Sequence, residues 1–121
     1  MLEEARRRPE EECCGLLGGK NGIITKIFSS TNALASASAY EIAPAELLRQ
    51  MREIRGAGLE MMGIYHSHPG GENRPSATDI ERAYYPDAVY FIIAPAAGAA
   101  KGIRAFTIRE GVASEIGIES V

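Results

Sequence analysis

No apolar run in this chain approaches the roughly 18 residues needed to cross a bilayer as a helix, so the reading is a soluble protein with no membrane partner. The basic residues near its start, Arg6-Arg7-Arg8, have no apolar stretch after them, which speaks against a secretory signal and makes the cytoplasm the expected compartment. Lys and Arg number 13 against 16 Asp and Glu, a formal net charge of −3. Apart from Arg6 to Arg8, which read as a solvated helix end, the basic residues are scattered, and this speaks against nucleic acid as a partner. There is no C-x-x-C pair. The two cysteines, Cys13 and Cys14, are adjacent, and neighbours on a strand face opposite ways, so a disulfide between them would be strained. Both read as small, reduced, buried thiols. Internal repeats and low-complexity segments are also missing. Histidine is scarce: His66 and His68 are the only two.

What is present fits one globular domain over residues 1–121, since 45% of the residues are hydrophobic and 24% charged, and a chain of 121 residues can bury a core without staples. Leu2 to Arg8 reads as a helix stopped before Pro9. Cys13 to Leu17 reads as a buried strand, paired across Gly18 to Gly22 with Ile23 to Phe28. Ser29 to Ala39, rich in small polar residues, reads as a loop before a short strand at Tyr40 to Ile42. Pro44 opens a helix in which Leu47, Leu48, Met51 and Ile54 recur at helical spacing, until Gly56 and Gly58 stop it. Leu59 to Tyr65 reads as a central strand running into His66 and ended by Pro69, Gly70 and Gly71. Ser76 to Tyr85 reads as a helix stopped by Pro86, Val89 to Ala94 as a second buried strand, and Ile103 to Ile108 with Val112 to Ile118 as a hairpin around Glu110-Gly111. The expected class is α/β, a mixed and mostly antiparallel sheet flanked by helices.

The chemistry gathers where that central strand ends. Residues i and i+2 of a strand share a face, so His66 and His68 can offer two imidazole nitrogens to one ion. Asp79, eleven residues beyond His68, can fold back as a third ligand, which leaves one position open for water, the arrangement of a catalytic zinc site. Asp79 has a competing reading, because Ser76-Ala77-Thr78-Asp79 is also a capping box for the following helix, and spacing alone does not separate cap from ligand. Ser67 faces the other side of the strand and should be packed or hydrogen-bonded within the fold. Asn32 and Tyr65 read as structural.

The run His66-Ser67-His68-Pro69, six residues, then Ser76-Ala77-Thr78-Asp79 resembles the H-S-H-P-x6-S-x-x-D signature of the JAMM metallopeptidases, also called MPN-plus or Mov34. Glu12-Cys13-Cys14-Gly15-Leu16-Leu17-Gly18 resembles their E-x-x-G-L-x-G strand, and Tyr40 to Pro44 and Tyr84 to Tyr90 look like the small prokaryotic members. The resemblance implies an MPN/JAB-type, cytidine-deaminase-like fold and one Zn2+ per chain on His66, His68 and Asp79. It implies Glu12 as general base and Ser76 as the group that steadies the oxyanion. It further implies hydrolysis of a peptide or isopeptide bond after the C-terminal Gly-Gly of a ubiquitin-like or sulfur-carrier protein. These enzymes usually carry a further helix or strand before the Pro9 region, so a missing N-terminal element is an expectation as well. Short loops near Ser30 to Ser38 and Gly70 to Pro75 leave little room for the insertions that grip ubiquitin itself. The competing functions are a metal-free scaffold of the same fold, an iron oxygenase built on two histidines and a carboxylate, and a DNA-repair-associated branch that commonly has Asn between the histidines. The full residue set, the order of the ligands and Ser67 with the acidic balance speak against these in turn.

Overall fold

A computed structural model of the chain describes residues 12–34, 40–69, 73–94 and 102–118. The predicted helix at Leu2 to Arg8 and the glycines after Pro69 lie outside them. Six strands form one sheet: β1 (Cys14–Lys20), β2 (Ile23–Ser30), β3 (Glu60–Ser67), β4 (Val89–Ile93), β5 (Ile103–Arg109) and β6 (Val112–Ile116), in the order β2-β1-β3-β4-β5-β6. Every neighbouring pair is antiparallel except β3 and β4. Two helices are described, α1 (Pro44–Gly56) before β3 and α2 (Ala77–Glu81) in the crossover from β3 to β4. The expected mixed, mostly antiparallel sheet with helices is therefore the observed one, and none of the described helices is long and apolar enough to cross a membrane.

Strand alternation divides the core. Leu16, Ile64, Tyr90 and Phe106 stand opposite one another across β1, β3, β4 and β5 and form a row on the face that α1 covers. One residue along, Gly15, Tyr65, Phe91 and Ala105 make the corresponding row on the other face. Leu16 and Ile92 are fully buried, each contributing about 1.5–3 kcal/mol of hydrophobic stabilisation. Helix α1 starts with Pro44 in its first turn, buries Ile54 and Gln50, and half-buries Leu47 and Met51, while Leu48 stays on its exposed flank. Gln50 ties the helix to β2 by donating from Nε2 to the Ser29 carbonyl (2.9 Å) and accepting from the Ser30 hydroxyl (2.5 Å).

Two expectations are corrected. Tyr40 to Ile42 is not a strand. The segment crosses the α1 face as a strap, held by Ala33 N–H to the Glu41 carbonyl (2.8 Å) and by Glu41 N–H to Asn32 Oδ1 (3.1 Å), so its backbone bonds go to a turn rather than to a ladder. The helix at Ser76 to Tyr85 spans only Ala77–Glu81. Tyr85 precedes Pro86, which disfavours helical backbone there, and its N–H donates to the Tyr90 hydroxyl (3.1 Å), steering the chain into β4. At the other boundary β2 runs on through Ser30, two residues into the expected loop.

Candidate metal centre

His66 lies on the α1 face of β3, two residues beyond Ile64 and opposite Cys14 on β1. His68 follows the strand, anchored by its N–H to the Ile93 carbonyl of the parallel strand β4 (2.8 Å). The site thus forms at the C-terminal ends of the one parallel pair, where the crossover from β3 to β4 opens the sheet. Nε2 of His66 and Nε2 of His68 are 3.1 Å apart. Asp79 Oδ2 is 3.1 Å from the first and 3.0 Å from the second. Tetrahedral ligands about 2.0–2.1 Å from a zinc ion stand about 3.3 Å from one another. The triangle of donors matches that spacing to within a few tenths of an ångström, so these residues fit the ion.

The capping reading of Asp79 holds at the same time. Ser76 Oγ accepts from Asp79 N–H (3.0 Å), and Asp79 Oδ2 accepts from Ser76 N–H (2.8 Å), a complete capping box on α2. The cap aims the carboxylate at the histidines. It also occupies Ser76 Oγ as an acceptor while leaving its hydroxyl proton to donate elsewhere.

Glu12 completes the cluster. Its carboxylate and the two rings offer ligand atoms all within 4.8 Å of one another, and its Oε1 is buried with no hydrogen-bond partner. Burial pushes its carboxyl up to about 7, with the charge of His68 pulling it down and that of Asp79 raising it further. Burial likewise lowers His66 against the opposing pull of Asp79, keeping the imidazole neutral with a lone pair to offer. Burial would raise Asp79, but its hydrogen bonds to His66, His68 and the Ser76 backbone outweigh that and hold it far below the usual carboxylate range.

All five residues singled out from the sequence therefore stand together. Ser67, as alternation predicts, points away and accepts from Cys13 N–H (2.8 Å). Both cysteines are buried and neither is in a disulfide. One neighbour escaped the sequence: the Tyr40 ring stacks on His66 with centroids 4.5 Å apart and planes at 20°. Its only sequence signal was the resemblance of Tyr40 to Pro44 to small prokaryotic JAMM chains. Tyr40 and Asp79 also line a cleft of about 330 Å³ between the strap, α1 and the crossover, floored by Leu16, Ile64 and Tyr90.

A family model described as prokaryotic homologs of the JAB domain matches residues 1–109. The chain belongs to that family. The chain is 40% identical over 96 residues to a desampylase from Haloferax volcanii, covering 77% of this chain and 69% of the relative. It is 32% identical over 117 residues to a CysO-cysteine peptidase from Mycobacterium bovis, covering 95% and 80%. A solution structure of a protein from Desulfitobacterium hafniense superimposes with a TM-score of 0.83 at 33% identity, over 96% of this chain and 82% of the other.

Proposed function

We propose that this chain is a zinc-dependent peptidase that hydrolyses the peptide or isopeptide bond after the C-terminal Gly-Gly of a small ubiquitin-like or sulfur-carrier protein. The observation that carries this reading is the convergence of His66, His68 and Asp79 on one point, beside a buried carboxylate whose Oε1 has no hydrogen-bond partner among the described residues. Two imidazoles and one carboxylate are a borderline donor set that suits zinc, and three protein ligands leave a position open. Zinc held there supplies Lewis acidity, polarising a carbonyl and lowering the pKa of water to about 7.

Glu12, buried beside the two rings, is placed to take a proton from the attacking water and return it to the leaving amine, a contribution of roughly 10²- to 10⁴-fold. The Ser76 hydroxyl, used by the cap only as an acceptor, donates to the oxygen that gains charge, worth about 10²- to 10³-fold. The cleft beside Asp79 gives an extended tail a place to lie, with Tyr40 and Tyr85 along its walls. The desampylase and the peptidase among its relatives support hydrolysis over oxygenation. The two buried, unlinked thiols accord with a reducing compartment such as the cytoplasm.

The test uses a ubiquitin-like protein whose terminal Gly-Gly is extended by one cysteine or joined to a lysine, with the released Gly-Gly terminus read by mass. The zinc-loaded protein should cleave at least one of the two, a chelator should stop it and added zinc restore it. Glu12→Gln should keep its zinc and lose about two to four orders of magnitude in turnover. Zinc-loaded protein that cleaves neither substrate refutes the reading.

A further inference from the structure

Glu12 stands just before β1, and its buried Oε1 has no hydrogen bond among the described residues, so the hold on its backbone bears on where the carboxylate stands. Two side chains hold that backbone. Ser67, between the two histidines, accepts from Cys13 N–H and returns its own N–H to the Cys13 carbonyl (2.9 Å), which extends the β1–β3 pairing one step toward Glu12. Asn32 reaches in from the turn after β2 and donates from Nδ2 to the Glu12 carbonyl (3.1 Å).

The other end of that amide holds the opposite wall of the site. Asn32 Oδ1 accepts from Leu34 N–H (3.0 Å) and from Glu41 N–H (3.1 Å), the second of these fixing the strap that carries Tyr40. Tyr40 in turn stacks on His66. A metal-binding histidine ordinarily donates its second ring nitrogen to a carboxylate or carbonyl that fixes the ring plane. His66 Nδ1 is buried with no such partner, so the Tyr40 ring is what sets that plane. Asn32 is itself 4% exposed. One rigid amide therefore spans the gap between the segment bearing the carboxylate and the segment bearing the ring over His66. Only a planar group with a donor and an acceptor does both at once.

We propose that Asn32 is a positioning residue: its side-chain amide fixes where Glu12 stands relative to the His66–His68 pair. The proposal rests on Glu12 being the general base. A displacement of about 1 Å in such a group can cost about 10²-fold in rate.

Two variants divide the amide's work. Asn32→Asp keeps an oxygen for the Leu34 and Glu41 N–H groups and removes the donor to Glu12, while Asn32→Ala removes both. Gln50→Ala is the comparison, because Gln50 is equally buried and also bridges two elements, β2 and α1, without a recorded bond to Glu12 or to either histidine. For Asn32→Asp the zinc content and KM should stay near wild type and kcat should fall about 10- to 100-fold. Gln50→Ala should lower the melting temperature and leave kcat unchanged. In a Glu12→Gln background, Asn32→Asp, which keeps the bonds to the strap, should not slow turnover further, because the bond it loses acts through Glu12 and has nothing left to place. Crystal structures of zinc-loaded wild type and Asn32→Asp give a readout independent of activity, with the Glu12 carboxylate shifted and both rings in place. Losses that add in the double variant, or an unmoved Glu12, overturn the proposal. If wild type cleaves neither substrate, the functional reading fails on its own, and the Glu12 displacement still decides whether Asn32 places that residue.

Discussion

Asp79 Oδ2 accepts from the Ser76 backbone and lies within 3.1 Å of both imidazoles, so the atom that caps α2 is also the one that faces the histidines. This is why spacing could not separate the two readings: S-x-x-D fixes the carboxylate by capping α2 and thereby delivers it to the histidines. Asp79→Asn tests the two jobs apart. An amide oxygen still accepts from Ser76 N–H, and the short helix should persist, with far-UV circular dichroism unchanged. A neutral amide is a poor zinc ligand, and affinity should fall on the order of 10²-fold or more in competition with a chromogenic chelator. Unchanged affinity would leave Asp79 as a cap alone. The five candidate residues were singled out because the only two histidines fall in one tripeptide and the order of the motif along the chain is specific. Asn32 was not, since its visible signal, an oxygen accepting from the N–H two residues on, is that of any turn asparagine.

At the scale of elements, β1, which follows Glu12, and β3, which ends at the histidines, are held in register by a close approach that only glycine permits. Gly15 pairs with Tyr65, and a Cβ at Gly15 would lie 2.5 Å from the Tyr65 ring and 2.4 Å from the Phe28 carbonyl. The fully buried ring between Ile64 and His66 cannot give way without moving β3. Gly15→Ala should therefore destabilise the fold by about 1–3 kcal/mol in urea unfolding. A variant as stable as wild type would mean that the two strands separate at little cost, and the close approach would not be what sets their register. Strands and turns were readable because each has a local cause. Asn21-Gly22 and Glu110-Gly111 take positive φ, as tight hairpin turns demand, and the buried runs are short and apolar. The strap at Tyr40 to Ile42 and the shortened α2 were not readable, because both are decided by distant partners. Asn32 Oδ1 and Ala33 N–H take the two backbone bonds a strand at Glu41 would need, and the Tyr90 hydroxyl takes the N–H a helix at Tyr85 would need.

For the molecule as a whole, the site places stability and pH in opposition that metal relieves. In the metal-free protein the folded state binds a proton at Glu12 up to about pH 7, whereas the unfolded chain releases it near 4.5. Between those values the folded state holds more protons, so the Glu12 contribution to stability is full below about 4.5 and is lost as pH rises toward about 7. His66 works the other way. Its lowered pKa means the folded state holds fewer protons than the unfolded chain below 6.5, so its contribution grows as pH rises through that range. The measurement that isolates Glu12 is therefore the difference in unfolding free energy between metal-free wild type and metal-free Glu12→Gln, followed from pH 4.5 to 8. Wild type should lose stability relative to the variant over that span, since glutamine has no proton to release. Zinc should reverse the trend: its ligands must be deprotonated, so the stabilisation it confers grows with pH, reaching about 4 kcal/mol at a free concentration a thousand times its Kd. His66→Ala should abolish that zinc-dependent rise in melting temperature. If the difference between wild type and Glu12→Gln is flat with pH, then Glu12 is not desolvated in solution, and the carboxylate beside the histidines lies open to water.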